Sequence, residues 1–247
     1  MPVLSVIIPA CNEEASVESV VKEVVSASLQ MRLDCEIILV NGGSRDRTGE
    51  IGRKLAWSIP NFRLIDLSPG RQYGAALKAG FEAASGELIV FFPADRQFVF
   101  GEIEKFLAEL DRADIVSGVR VHRKDNFMRR LFGLGWNVVV RVMFGYLCRD
   151  IDCGFKLFRR GILERVRLVS DGAVLDTELL AGAGARGYRI SEIEVTHLPR
   201  TTGKATGADI NVIITAFRDL ALFRLRLTRE LNEEKKTRLN AERPSDP

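Results

Sequence analysis

A doubly wound α/β fold with a mostly parallel sheet is what this sequence predicts, on three observations. Short apolar runs rich in branched residues recur through the first half, at Leu4 to Ile8, Cys35 to Val40, Phe62 to Leu67, Leu88 to Phe92 and Ile115 to Val119. Stretches of helical periodicity and short connections separate them, which is the pattern of βαβ units. The fourth run, Leu88-Ile89-Val90-Phe91-Phe92, shows no polar alternation, as expected of a strand covered on both faces.

The elements follow in order. The first strand ends at Pro9, and Asn12 is placed to cap a helix with Glu13 and Glu14 in its first turn. Val17, Val20, Val21, Val24 and Val25 recur at helical spacing and would pack that helix on the sheet. The second strand runs into Asn41-Gly42-Gly43-Ser44, a sharp turn, after which Ser44 or Asp46 caps a helix to about Ser58. Past the third strand, Pro69-Gly70 turns the chain into a helix holding Tyr73 to Ala84. The fourth strand is followed by Pro93-Ala94-Asp95, then by a helix from about Glu102 to Leu110 and the fifth strand. In open α/β sheets ligands bind beyond the carboxyl ends of the strands, which puts Asp95 where a substrate or metal would be met. An Asp in that place also closes a turn or caps the next helix, and locally the two readings stand level.

Beyond Arg120 the pattern changes. Arg120, Arg123, Lys124, Arg129, Arg130, Arg141 and Arg149 fall in one region whose only acid before Asp150 is Asp125. Phe127, Met128, Leu131, Phe132, Val138, Val139, Val142 and Met143 repeat there at three- and four-residue steps, with Arg130, Asn137 and Arg141 opposite. A second stripe comprises Ile210, Ile213, Ile214, Phe217 and Leu220, with Arg218, Arg224, Arg226 and Arg229 towards its end. Amphipathic basic helices suit an anionic membrane surface, or they pack on a core and solvate their charged side; both readings stay open. The expected organisation is one domain over residues 1–231, with a first half to about 120 and a second over 121–231, then a polar, disordered tail over 232–247.

Composition narrows the classes. The chain has 247 residues, 46% hydrophobic and 28% charged, an ordinary soluble composition, and its net charge of +3 decides little. Met1-Pro2-Val3 leads straight into a strand, so no secretory leader is expected, and no uncharged apolar run reaches the ~18 residues of a spanning helix. Cys11, Cys35, Cys148 and Cys153 lack CxxC spacing and read as reduced cytosolic thiols. The two histidines, His122 and His197, are too few for a His-rich metal site. Nucleic acid is not an expected partner, because the basic residues accompany apolar stripes rather than stacking aromatics.

Six short motifs carry the chemistry. They are Ser5-Val6-Ile7-Ile8-Pro9-Ala10-Cys11-Asn12-Glu13-Glu14, Val40-Asn41-Gly42-Gly43-Ser44-Arg45-Asp46-Arg47-Thr48, Tyr73-Gly74-Ala75-Ala76-Leu77-Lys78-Ala79-Gly80-Phe81, Pro93-Ala94-Asp95-Arg96-Gln97, Asp152-Cys153-Gly154-Phe155-Lys156-Leu157-Phe158 and Pro199-Arg200-Thr201-Thr202-Gly203. In that order and spacing the chain resembles the family 2 glycosyltransferases with a GT-A fold, a Rossmann-like sheet flanked by helices. It is most similar to the polyprenyl-phosphate (dolichol-phosphate) mannosyl- and glucosyltransferases, over roughly Leu4 to Leu227. It departs from the family pattern where Cys11 replaces a Tyr, where Asn41 and Gly42 replace two acids, where Pro93 replaces the first Asp of Asp-x-Asp, and where Lys204 sits early in the last motif.

The resemblance implies inverting transfer of a hexose from a nucleotide diphosphate to a polyprenyl phosphate, by a protein peripheral on the cytoplasmic face of the membrane. An ionised phosphate is already a nucleophile, so alignment and charge neutralisation are what the reaction asks for. A divalent cation, Mg²⁺ or Mn²⁺, is implied at Asp95 and Gln97, since magnesium commonly takes one or two protein carboxylates and fills its shell with phosphate and water. Asp95, Arg120, Asp152 and Arg200 are the implied catalytic residues, the arginines facing phosphates. Pro9, Cys11, Glu13, Leu39, Asn41, Pro93 and Ala94 are the implied donor-binding residues. Asp176-Thr177-Glu178 resembles the place where other inverting enzymes keep a base, or it orients an arginine or caps a helix. Two other readings are a family 2 transferase with a soluble or cell-wall acceptor, and a silent nucleotide-sugar binder, which the replaced acids at Asn41, Gly42 and Pro93 would fit.

Overall fold

The computed structural model describes residues 3–70, 73–121, 127–200 and 210–241, except for the side chains of 127–129 and 210–213. Among the residues singled out above, His122, Arg123, Lys124, Asp125 and residues 201–206 lie outside the described set, as do 242–247 and the side chains of Phe127, Met128, Arg129, Ile210 and Ile213.

The expected strands form as β1 (Leu4–Ala10), β2 (Cys35–Asn41), β3 (Phe62–Asp66), β4 (Leu88–Phe91) and β5 (Ile115–Val121). Two further strands, β6 (Lys156–Arg159) and β7 (Ile190–Thr196), complete a seven-stranded sheet of order β3-β2-β1-β4-β6-β5-β7. Neighbours run parallel except β6, which is antiparallel to both β4 and β5.

Side chains alternate between two cores. Val6, Ile8, Leu39, Val90, Phe92, Val116 and Leu157 pack on one face of the sheet with α1 (Val17–Gln30) and α4 (Ile103–Glu109). Ile7, Ile38, Val40, Ile89, Phe91, Ile115 and Phe158 pack on the other with α3 (Tyr73–Ala83), α6 (Leu175–Gly184) and α7 (Ile210–Ala241). This two-sided burial is why the strands read as unbroken apolar runs.

Three local expectations change. Asn12 does not cap α1: it sits at φ 57°, Glu13 turns the chain by accepting from the Ser16 and Val17 amides, and the helix starts at Val17. The 3-10 turn Phe100–Glu102 precedes α4, so that helix begins one residue later than expected. Residues 232–241, expected as tail, continue α7, because Arg186, in the turn after α6, hydrogen-bonds Glu234 and pairs with Glu230, fastening the polar turns to the domain.

The two amphipathic segments form α5 (Phe127–Phe144) and α7, which pack on each other through Trp136 against Phe217 and Phe144 stacked on Phe223. Each helix divides its apolar residues. Val140, Leu220, Phe223 and Leu227 are buried, whereas Leu131, Leu134, Val138, Val142, Ile214, Leu222 and Leu225 are exposed, Val142 by 81%.

Candidate active site

The carboxyl ends of β1 and β2 are level, with Ala10 opposite Asn41, so the loops after them meet and interlock. The Asn12 and Glu13 amides donate to Ser44 Oγ and Thr48 Oγ1 (both 2.9 Å), and the Arg45 amide donates to Asn12 Oδ1 (2.8 Å). The Glu14 amide donates to Asp46 Oδ2 and the Arg47 amide donates to Glu14 Oε2, both at 3.0 Å. Gly43 is required in this turn: its φ is 76°, and a Cβ there would lie 2.5 Å from Pro69 Cα. Cys11 is exposed on the interlocked rim; burial, then Asp46 and Glu13, push its thiol up.

Burial and hydrogen bonding show how several of the expected donor-binding residues are held. Leu39 and Ala94 are buried in the core, so their side chains serve packing. Asn41 donates to Asp66 Oδ1 (2.8 Å) and accepts from the Ser44 amide and hydroxyl (3.1 and 2.5 Å), making it a turn-forming residue. Pro93 packs against the loop of the fifth motif, where a Cβ on Gly154 would stand 2.6 Å from Pro93 Cγ. Pro9 is half-buried at the end of β1.

The loop after β4 gathers residues far apart in sequence. Arg96 takes a left-handed φ of 58°, and Asp95 Oδ1 accepts from the Gln97 amide (3.1 Å). Arg200 joins Asp95 to the first loop: one nitrogen donates to Glu13 Oε1 and the other lies 3.6 Å from Asp95 Oδ2. Burial raises the Glu13 carboxyl, with the Ser16 hydroxyl and Arg200 opposing that rise. Gln97 is buried; its amide nitrogen donates to the Leu198 carbonyl (3.2 Å) and lies 3.3 Å from His197 Nε2, tying this loop to the chain after β7.

A second cluster lies below the end of β5. Arg120 forms a two-point pair with Asp150, Nε to Oδ2 at 2.7 Å and Nη2 to Oδ1 at 2.6 Å, and its amide also donates to Oδ2 (3.2 Å). Only 8% of the Arg120 side chain is exposed, and the pair with Asp150 holds its guanidinium in place. Lys156, fully buried, donates to Asp176 Oδ1 (2.9 Å) and to the Cys153 carbonyl, with its nitrogen 5.2 Å from the Phe91 ring centre. Burial raises the Asp176 carboxyl while Lys156 holds it down. Asp152, between α5 and β6, is exposed, with its carboxyl backed by the protein packed behind it. Burial, and then Asp176, push its carboxyl to about 7 against Arg120 and Lys156. Tyr73, at the start of α3, is 38% exposed, and the protein packed around its hydroxyl, then Asp176, Asp152, Cys153 and Asp95, push it well up.

A groove of about 420 Å³ adjoins this cluster, lined by Arg120, Arg130, Leu131, Leu134, Arg149 and Asp150 among others. Asp150, Lys156 and Tyr73 were missed as site residues by sequence reasoning. The available signal was a buried-strand Arg120 near two acids, which does not say which acid meets it.

Among the described residues no three His, Cys, Asp or Glu side chains are grouped to enclose a metal ion. The donor set instead fits a cation held by few protein ligands: Asp95 offers a carboxylate, and Gln97, its nitrogen engaged, has only its amide oxygen to offer.

The glycosyl transferase family 2 model matches residues 5–167. An undecaprenyl-phosphate 4-deoxy-4-formamido-L-arabinose transferase of Pseudomonas fluorescens is 30% identical over 217 residues, 87% of this chain and 63% of that protein. The transferase of that name from Aeromonas hydrophila is 32% identical over 205 residues, 82% of this chain and 62% of its own length. The chain thus spans about three-fifths of the length of these relatives. In fold it is similar to glucosyl-3-phosphoglycerate synthase from Mycobacterium tuberculosis, solved with Mn²⁺, UDP and phosphoglyceric acid: TM-score 0.67, 18% identity, 92% of this chain and 78% of that one.

Proposed function

Because the chain belongs to glycosyl transferase family 2, we propose that it moves a sugar from a nucleoside diphosphate to a polyprenyl phosphate at a membrane surface. The observation that carries this reading is the groove beside β5, where Arg130 and Arg149 stand next to Leu131 and Leu134. An acceptor with a phosphate head and an isoprenoid tail needs that pairing of cations with apolar wall. The groove lies on α5, whose exposed Leu134, Val138 and Val142 neighbour those of α7, with exposed Arg141 and Arg224 beside them. These surfaces support peripheral attachment to an anionic bilayer. No helix among the described residues is long and apolar enough to cross a membrane.

In this reading residues to about 120 hold the donor and those from 121 to 231 the acceptor. The acceptor phosphate oxygen attacks the sugar C1 as the bond from C1 to the diphosphate breaks, and the nucleoside diphosphate departs with the electron pair. Arg200, held by Glu13 and Asp95, meets the charge that grows on the leaving diphosphate. Asp150 fixes Arg120, and through it the wall between the groove and the cleft. Asp95 and Gln97 would hold Mg²⁺ or Mn²⁺, which when bound neutralises diphosphate charge.

One observation favours a second reading. Asp152, pushed to about 7 and facing the cleft, is what a hydroxyl acceptor would need as a base. The deciding experiment supplies purified protein with each common nucleotide sugar and Mn²⁺, and with either undecaprenyl phosphate or a soluble hydroxyl acceptor. Transfer to the lipid phosphate supports the proposal. Transfer only to the hydroxyl acceptor supports the second reading, and donor binding without any transfer marks a silent binder.

A further inference from the structure

Besides packing on α5, helix α7 reaches α6 through a short clasp. Glu178 of α6 is 3% exposed and uses both oxygens. Oε2 accepts from the Val169 and Ser170 amides (2.7 and 3.0 Å), and Oε1 accepts from Arg226 Nη2 of α7 (2.7 Å). Arg226 Nε also faces Glu230 at 3.6 Å. The loop so held carries the start of α3. The Asp171 carbonyl accepts from the Ala75 amide (3.2 Å), and Lys78 reaches both the Val169 carbonyl and Asp171 Oδ1 at 2.7 Å. Contact is close enough that a Cβ on Gly74 would lie 2.7 Å from the Asp171 and Gly172 backbone. The same loop leads through Gly172 directly into α6 and Asp176.

We propose that Arg226 and Glu178 are positioning residues of the site: α7 holds Glu178, Glu178 holds loop 169–172, and that loop sets Tyr73 and Asp176 at the cleft. This rests on reading the cleft as the nucleotide-sugar site. Tyr73 stands two residues before Ala75, whose amide donates to the Asp171 carbonyl of that loop, so the loop fixes the first turn of α3 that carries it. The geometry allows little slack, because Glu178 is buried and each of its oxygens is engaged. With Arg226 removed, a buried carboxylate loses its cation, and the cheapest response is to open towards water, releasing the two amides it accepts from.

The test is amide hydrogen exchange and UDP binding with Mn²⁺ on the full chain, comparing wild type, Arg226→Gln and Arg226→Lys. Arg226→Gln is expected to speed exchange at Val169, Ser170 and Ala75 at least about tenfold while the β1 and β2 amides keep their protection. UDP affinity is expected to fall about five- to tenfold, with Arg226→Lys recovering part of both, since it restores charge without the planar fork. Unchanged exchange at those amides overturns the proposal. So does faster exchange with unchanged UDP affinity, because the clasp would then be structural only. If wild type binds no UDP, the nucleotide reading has failed instead, and exchange at Ala75 alone decides the clasp. Should Arg226→Gln not fold, Arg226→Lys gives the same readouts at smaller amplitude, and no change in it overturns the proposal.

Discussion

Replacing Lys156 by Met tests whether the floor of the cleft is held by a buried ion pair. Lys156 is fully buried, and its nitrogen lies 2.9 Å from Asp176 Oδ1. Met keeps the stem but leaves the Asp176 carboxylate, 4% exposed, without its cation. Breaking a buried pair from one side costs about 3–5 kcal/mol. For a domain of this size that lowers Tm by roughly 6–20 °C. The sign of the pH dependence follows. Burial already raises the Asp176 carboxyl, and losing Lys156 raises it further. A raised folded-state value means the stability is fully present below the unfolded Asp value and is lost as pH rises through the folded one. The deficit relative to wild type should therefore be smaller near pH 4.5 than at pH 7.5. Urea unfolding at both pH values measures it, and the double variant Lys156→Met/Asp176→Leu should return to within about 1–2 kcal/mol of wild type. A loss below about 1 kcal/mol at pH 7.5, or the same loss at both pH values, refutes the argument.

Other outcomes follow from the same geometry. Asp152 sits at about 7, so with a phosphate nucleophile wild-type kcat/KM should fall as pH rises through 7, and Asp152→Asn should flatten that limb; a pH series checks it. Arg120→Lys loses the two-point contact with Asp150 and should cost about 1.5–3 kcal/mol in denaturant unfolding. Asp95→Asn should lower kcat by about 100-fold or more with little change in Tm, and a Mn²⁺ titration should show weakened activation. Replacing exposed Arg130, Arg141 and Arg224 by Gln should weaken flotation with anionic vesicles by roughly 100-fold, at about 1 kcal/mol per side chain.

Much of the frame was legible in the chain. The strands β1, β2, β4 and β5 announce themselves as apolar runs because they are buried on both faces, β3 speaks more weakly from the sheet edge with Arg63 and Asp66 exposed, and α5 announces itself through its stripe. Strand β6 was not legible. It is four residues long with Lys156 at its start, and nothing local says that this lysine will find Asp176 twenty positions on. Strand β7 pairs along only one side, with β5, and its part-exposed residues weaken its periodic signal.

At the site, the sequence picked out Glu13, Asp95 and Arg200 singly, from the motifs that contain them. That Arg200 bridges the other two is a consequence of β1 and β4 lying side by side while the chain after β7 folds back over their ends. The sequence also named Arg120 and Asp152 but passed over Asp150, the partner of Arg120. Leu39 and Ala94 were picked out by position alone, and their burial, like the bond from Asn41 to Asp66, could not be read from it. The physical reason is one of range. Hydrophobic period, turn chemistry and capping act between neighbours and are therefore written along the chain. Which carboxylate meets which cation, and which is left near 7, depends on register and burial between segments as much as 187 residues apart, and only packing decides that.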